Sequence, residues 1–280
     1  MNEILIILQA VDNAESLIDS GIDLAENLKK TARFVYPIET AEFGYYPPHG
    51  DPGPFPGDLT YNEALEKEKA IVFEILNEKI LKKTANIFPS PKWTLDVLIG
   101  TPDTVLPDVL KNANLAFIFT DPIKSGDSNT LTYNVKAYLK SQPVPVIINS
   151  IEHPLHKIEK TVYATDIHEK DPDLIQDFLA RLGKKTELTL LHVSDEKNSS
   201  EAVGSILTSD MFPEGTSELN KVSLYDEDIA SGIKTHLQKH PADLLVLFKQ
   251  NKSFWEKLFN RSESKKIMAE TDIPVLIYHE

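Results

Sequence analysis

The chain has no cysteine and no long apolar run. Without thiols it can form no disulfide framework, no cysteine-ligated zinc site and no thiol nucleophile. A membrane-spanning helix needs about 18 or more mainly apolar residues, and no run reaches that length. The first apolar run, residues 4–8, has an acidic residue on each side, which predicts a buried strand rather than a leader. We therefore expect a cytoplasmic protein without a membrane span.

Positive charge is also scarce. The 29 lysines and arginines face 43 aspartates and glutamates, which gives a net charge of -14. Nucleic-acid binding requires a basic footprint, so this balance predicts no nucleic-acid partner.

Short apolar runs alternate with amphipathic stretches along the whole chain. Runs without polar alternation are typical of strands covered on both faces, and their alternation with helical patterns predicts an α/β fold. The helical patterns cover 14–30, 61–83, 171–185 and 226–240. The predicted strands are 4–8, 34–38, 95–99, 115–119, 144–148, 162–165, 188–193, 222–224, 244–248 and 275–278.

The chain contains an internal repeat. With Leu115 set against Leu244, residues 114–148 lie on 243–277 without a gap, and 29–38 match 184–193. A repeat of this length predicts two copies of one domain, 1–150 and 158–280, joined by a polar segment. Each copy has the order β-α-β-α-β-α-β-α-β.

The first copy carries an insertion that includes "GYYPPHGDPGPFPGD" (44–58). Its prolines and glycines exclude a helix or a central strand, so a surface loop is expected. The alternative is a lid or a partner-binding segment, because its aromatic side chains could dock.

The order of the predicted strands, together with three motifs, resembles that of universal stress proteins. The motifs are "LIGTP" at 98–102, Thr165-Asp166, and "TDIPVLIYH" at 271–279. The resemblance implies two tandem five-stranded parallel-sheet domains of the Rossmann-like, adenine nucleotide alpha hydrolase-like type. It also implies that 144–148 and 275–278 pair antiparallel and make the chain an intramolecular pseudo-dimer. The protein would then be a monomer or a homodimer.

ATP-binding members of that family carry a loop G-x2-G-x9-G-[S/T] after the fourth strand. Their spacing places the three glycine positions at Phe248, Asn251 and Arg261, and the hydroxyl position at Ser262. Only Ser262 fits the pattern. A glycine-free loop is not expected to form the same backbone cradle for phosphate.

The first copy departs further from the G-x2-G-x9-G-[S/T] pattern. The corresponding positions are Phe119, Pro122, Thr132 and Tyr133, with no glycine and no serine or threonine at the hydroxyl position. Pro122 also lacks the backbone N–H that could face a phosphate.

Family members that bind ATP also keep an aspartate at the end of the first strand. The second copy has Asp166 there, whereas the first has Gln9, with Asp12 three residues on. The first copy alone keeps the Gly-x-Pro turn, at 100–102. Neither copy therefore carries a full set of motifs. An aspartate at a strand end is also a common helix N-cap, so Asp166 by itself does not establish a nucleotide site.

The connector after 244–248 is basic and aromatic. Its four positive charges could bind phosphate without a backbone cradle. Its aromatic residues could instead pack on the sheet edge, or contact a partner or a membrane surface, with Trp255 as the main candidate for partner contact. The residues concerned are Lys249, Lys252, Phe254, Trp255, Lys257, Leu258, Phe259 and Arg261.

No other chemistry has a clear signature. His236 and His240 are spaced for a shared metal, but no third ligand is evident, and His153 and His156 lie in the linker. Residues 226–228 are typical of a capped, acidic first turn. We therefore predict no metal and no catalytic residue.

The function predicted from the sequence is a non-enzymatic stress-response or regulatory protein without a working ATP site or other cofactor. Its unidentified protein partner would contact the proline-rich loop or the Trp255 connector. The alternative is a regulator that binds ATP or AMP with magnesium in the second domain. That site would use Asp166, Asn251, Arg261 and Ser262.

Overall fold

The computed structural model describes residues 2–12, 14–38, 61–111, 114–121, 144–150, 153–167, 169–183, 185–195, 218–249 and 273–279. In these ranges the strands are β1 Glu3–Ile7, β2 Thr31–Ile38, β3 Trp93–Ile99, β4 Leu115–Thr120, β5 Val146–Ile148, β6 Lys160–Ala164, β7 Glu187–Ser194, β8 Glu218–Tyr225, β9 Leu244–Lys249 and β10 Val275–His279. The helices are α1 Ala14–Asn27, α2 Tyr61–Thr84, α3 Pro102–Lys111, α4 Asp171–Leu182 and α5 Ile229–Lys239.

The ten strands form one sheet in the order β3-β2-β1-β4-β5-β10-β9-β6-β7-β8. Each half is parallel, and the halves meet where β5 and β10 pair antiparallel. Val275 lies opposite Ile148, and Ile277 lies opposite Val146. The predicted α/β class and the predicted antiparallel pairing are therefore confirmed, while the domain limits 1–150 and 158–280 stay a prediction.

Hydrophobic residues alternate between the two faces of the sheet. In β1, Ile4 and Ile6 point to one core, whereas Leu5 and Ile7 point to another. All four side chains are buried, so this strand is covered on both faces. Such two-sided burial is the reason the sequence shows continuous apolar runs.

One face of the sheet carries a single hydrophobic core that extends through both halves. It joins β1 and α1 of the first half to β10 and α4 of the second. The opposite face has two separate cores, one under α3 and one under α5. Burial of shared apolar surface therefore holds the halves together, in addition to the β5–β10 hydrogen bonds.

The segment between the halves is more firmly attached than its polar sequence indicated. Leu155 and Ile158 are buried in the shared core. The Nδ1 atom of His156 lies 2.7 Å from a carboxylate oxygen of Asp23 on α1. The backbone N–H of Ile158 donates to the Asn27 side chain at 3.3 Å. The linker is thus a packed part of the fold.

Two elements differ from the sequence prediction. Strand β8 has eight residues rather than the predicted three, because it pairs with β7 along its whole length. Helix α3 agrees with the predicted order, which has a helix between the third and fourth strands, but no helical pattern was identified for its residues, and Pro107 lies inside it. A proline lacks one backbone N–H, which weakens the helical signal of such a short segment.

Candidate functional site

The candidate site lies where the strand order reverses. In doubly wound sheets, ligands bind outside the carboxyl ends of the strands at this switch point. The present sheet has two such points, between β1 and β4 and between β6 and β9.

In the first half, the side chain of Gln9 crosses the switch point. Its Nε2 atom donates to the hydroxyl of Thr120 at 2.8 Å and to the carbonyl oxygen of Asp121 at 3.0 Å. Gln9 follows β1, and its two partners lie at the end of β4. The amide therefore bridges the gap between the two strand ends.

Further polar contacts extend this bridge. The Thr120 hydroxyl donates to the carbonyl oxygen of Ile7 at 3.3 Å while it accepts from Gln9. The Asn149 side chain, just after β5, donates to the Asp121 carboxylate at 3.3 Å and accepts from the N–H of Leu155 at 2.9 Å. Side chains of this half thus occupy the ends of β1, β4 and β5.

In the second half, Asp166 lies just beyond the carboxyl end of β6 and is half-buried. The next residue, Ile167, has a φ of +65°, in the left-handed region. Its backbone N–H donates to the hydroxyl of Thr165 at 2.7 Å. This tight turn fixes the backbone on both sides of Asp166.

A second carboxylate, Asp171, lies beneath this turn as the first residue of α4 and is 2% exposed. The Tyr163 hydroxyl donates to its Oδ1 atom at 2.9 Å, and the Thr165 hydroxyl donates to its Oδ2 atom. Burial, together with the nearby Asp171 carboxylate, raises the pKa of Tyr163 well above its usual value. The ring of His192 donates from Nδ1 to the Thr165 carbonyl at 2.9 Å.

The turn at 100–102 has the predicted form. Gly100 has a φ of +140°, and its N–H donates to the Ile38 carbonyl at 3.0 Å. A Cβ atom at Gly100 would come within 2.8 Å of Val105, so this position requires glycine. Helix α3 begins at the proline of the motif, where a missing N–H costs nothing.

Three of the four predicted nucleotide-binding residues, Asn251, Arg261 and Ser262, lie outside the described residues. So do the Trp255 connector and the proline-rich loop at 44–58. The structure therefore places only Asp166 of the predicted site, and the role of all four residues stays a prediction.

His236 of α5 and His240, which caps the end of this helix, lie side by side with ring centroids 4.9 Å apart. His236 is buried, and burial followed by the charge of His240 lowers its pKa. In the part of the chain that the structure describes, no three histidine, aspartate or glutamate side chains come together as metal ligands. Asp228 caps α5 by accepting from the N–H of Ala230, as predicted for an acidic first turn.

No helix within the described ranges is long and apolar enough to cross a membrane.

No protein-family model matches the chain, and no curated protein matches it in sequence. Solved structures do match. A universal stress protein from Archaeoglobus fulgidus DSM 4304 is 13% identical, with a TM-score of 0.65 over 99% of this chain and 98% of the other. A candidate universal stress protein from Pseudomonas aeruginosa UCBPP-PA14 is 11% identical, with a TM-score of 0.50 over 100% and 93%.

The cytoplasmic domain of a prokaryotic cation chloride cotransporter has the same architecture. It is 8% identical, with a TM-score of 0.53 over 99% of this chain and 94% of the other. The protein is thus a doubly wound α/β protein whose two halves share one sheet. Its fold is that of the universal stress proteins, which confirms the resemblance at the level of the fold.

The first-half bridge was not predicted from the sequence. Gln9 was noted only as the residue in place of an aspartate, and neither Thr120 nor Asn149 was identified. A usable signal did exist, because polar residues follow the buried strands β1, β4 and β5 in turn. The carboxyl ends of neighbouring parallel strands meet at one edge of the sheet, so these polar groups are expected to lie close together.

Proposed function

We propose that the protein is a non-enzymatic stress-response or regulatory protein of the universal stress type, which acts through its surfaces and has no working ATP site. The observation that carries this proposal is the Gln9 bridge between β1 and β4. It occupies the edge at which a nucleotide would have to enter the first half.

The contacts of Gln9 oppose nucleotide binding in the first half. A ligand at this switch point would displace the amide from Thr120 and Asp121. Thr120 is buried and Asp121 is half-buried, and the loss of each hydrogen bond costs about 0.5–1.5 kcal/mol. After β4 the glycine positions of the family loop hold Phe119, Pro122 and Thr132, so the close backbone approach that those glycines allow is not expected to compensate.

The second candidate function is a regulator that binds ATP or AMP with magnesium in the second half. Asp166 favours it, because this carboxylate lies at the end of β6, beside the second switch point. Asn251, Arg261 and Ser262 would supply the phosphate contacts in place of a glycine cradle.

Calorimetric titration with ATP and with AMP, in the presence of magnesium, distinguishes the two functions. We expect no saturable heat, and no nucleotide in the supernatant of the denatured protein. Binding at micromolar affinity or better would contradict the proposal and favour the alternative.

Two substitutions would then locate any site. Asp166→Asn and Ser262→Ala should each weaken nucleotide binding about ten-fold or more if the second half binds it. Asp12→Asn is the matched control, because it removes an exposed carboxylate just after β1 of the first half. Equal affinity in all three variants would place the nucleotide elsewhere.

The remaining parts of the proposal concern partners and location. The proline-rich loop and the Trp255 connector are the proposed contacts for a protein partner. The proposed location is the cytoplasm, and the proposed state is a monomeric pseudo-dimer or a homodimer of it.

A further inference from the structure

A cavity of about 460 Å³ opens at the edge of the sheet opposite the strand ends described above. It lies where β1, β2 and β3 begin, between the end of α1 and the turn before β3. Its volume falls in the range of small-molecule sites in proteins. The fold's usual ligand position is at the carboxyl ends of the strands, so this cavity is independent of any nucleotide site there.

Three lysines line the cavity, and only one carboxylate, Glu26, does so. Lys29 and Lys30 follow α1, whereas Lys92 immediately precedes β3. This concentration of positive charge is unusual for a chain with a net charge of -14. It is also built from two elements that are far apart in sequence.

The backbone holds the first two lysines in place. The N–H of Lys30 donates to the Ala25 carbonyl at 2.8 Å, and the N–H of Lys29 donates to the Glu26 carbonyl at 3.0 Å. Lys29 has a φ of +54°, the left-handed conformation that commonly ends a helix. The Thr31 N–H then donates to the Asn2 carbonyl at 2.9 Å, which ties this corner to β1.

Helix C-termini attract positive charge, and this accounts for Lys29 and Lys30. It does not account for Lys92, which belongs to a different element. Across the described ranges, neither Lys29 nor Lys92 forms an ion pair. Both side chains are exposed, so their ammonium groups are accessible to an anion at this corner.

The surroundings of Lys30 disfavour its charged form. Burial, followed by the positive charge of Arg181, lowers the pKa of Lys30. A bound anion would favour the charged form of Lys30 and offset both effects. The hydroxyls of Thr31 and Ser90 line the same cavity and can donate hydrogen bonds to such a ligand.

We propose that this cavity is an anion site that binds a phosphate group through Lys29, Lys30 and Lys92. Ammonium groups are suited to phosphate oxygens, and the hydroxyls add directed hydrogen bonds. Glu26 also lines the cavity and is exposed, and its negative charge repels the anion.

The phosphate can come from a soluble phosphate compound or from a lipid headgroup. Phe88, next to the cavity-lining Pro89, is 97% exposed. An exposed aromatic residue beside lysines also occurs where proteins touch an anionic membrane surface. The test therefore includes both sources.

The first measurement is an NMR titration of the full chain with pyrophosphate at constant ionic strength, following the backbone amides of Lys30, Thr31 and Lys92. We expect saturable shifts confined to this corner. The double variant Lys29→Gln, Lys92→Gln should weaken binding about ten-fold or more, and Glu26→Gln should tighten it. Lys239→Gln on α5, which removes one exposed charge elsewhere, is the control.

The second measurement is co-sedimentation with phosphatidylcholine vesicles that contain phosphatidic acid. A lipid headgroup is the ligand if the protein binds these vesicles but not pyrophosphate. Vesicle binding should then be lost both in the double-lysine variant and in Phe88→Ser. Pyrophosphate binding that is unchanged in Phe88→Ser identifies a soluble ligand. Absence of both, or binding equal in the double-lysine variant and the wild type, would overturn the proposal.

Discussion

At the residue scale, the buried carboxylate of Asp171 depends strongly on its neighbours. It is the first residue of α4, where the helix dipole favours negative charge. Hydroxyls of Tyr163 and Thr165 donate to its two oxygens. A buried charge is tolerated only when it is compensated in this way.

Replacing Tyr163 by phenylalanine should lower the free energy of unfolding by about 1.5–3 kcal/mol at pH 8, because a hydrogen bond to a charged group is lost. The pKa of Tyr163 is raised in the folded state. Its contribution is therefore complete below the unfolded pKa of about 10 and is lost as pH rises toward the folded pKa. The difference between variant and wild type should shrink between pH 8 and pH 11, as urea unfolding at each pH would reveal.

Tyr225→Phe serves as the control at pH 8, because Tyr225 is 38% exposed. We expect it to change the unfolding free energy by less than about 0.5 kcal/mol. A Tyr163→Phe penalty that stays constant up to pH 11 would contradict the proposed coupling between this hydroxyl and Asp171.

At the scale of the elements, two helices approach the sheet at glycines. A Cβ atom at Gly232 of α5 would lie 2.6 Å from Val193 on β7 and 3.0 Å from the Cβ atom of Asp226. A Cβ atom at Gly21 of α1 would lie 2.8 Å from Ile6 on β1. Each glycine allows its helix to pack closer to the strands than any larger residue would.

Gly232→Ala should therefore destabilise the protein by about 1–3 kcal/mol, despite the higher helix propensity of alanine, because the added methyl group overpacks the core. Thermal unfolding followed by circular dichroism measures the effect. Ser231→Ala, at the exposed neighbouring position on α5, is the matched control and should be neutral. A stabilised Gly232→Ala variant would mean that the helix shifts outward at little cost.

At the scale of the whole molecule, the two halves are joined by three kinds of contact. β5 and β10 share backbone hydrogen bonds, and one hydrophobic core extends beneath both halves. Arg181 of α4 donates to the carbonyl oxygen of Ala116 on β4 at 3.0 Å, across the two halves. We infer that the halves unfold together.

Leu276→Ala tests this inference, because Leu276 is fully buried in β10 within the shared core. The cavity should cost about 2–5 kcal/mol. Native-state hydrogen exchange should report that loss for amides of β1 in the first half as well as β6 in the second. Lys239→Ala on the surface of α5 should leave exchange unchanged in both halves. Faster exchange in the second half alone would contradict a shared unfolding unit.

The sequence by itself determined the fold class, the repeat and the antiparallel meeting of the halves. The fold class and the repeat rest on local information: continuous apolar runs, and aligned blocks such as 114–148 on 243–277, in which the last strand begins at a Pro-Val pair. The antiparallel meeting of the halves was implied by the resemblance of the motifs to universal stress proteins. The sequence also determined the glycine turn at 100–102, because only glycine accepts that backbone conformation next to Val105.

Only the tertiary structure decided what the polar residues do. Gln9 and Thr120 are more than a hundred residues apart, and their contact exists only because β4 lies beside β1. The lysine-lined cavity likewise needs α1 and the start of β3 to meet at one edge. Hydrogen bonds and charge interactions act over a few ångströms, so their partners are set by the packing of the strands and not by distance along the chain.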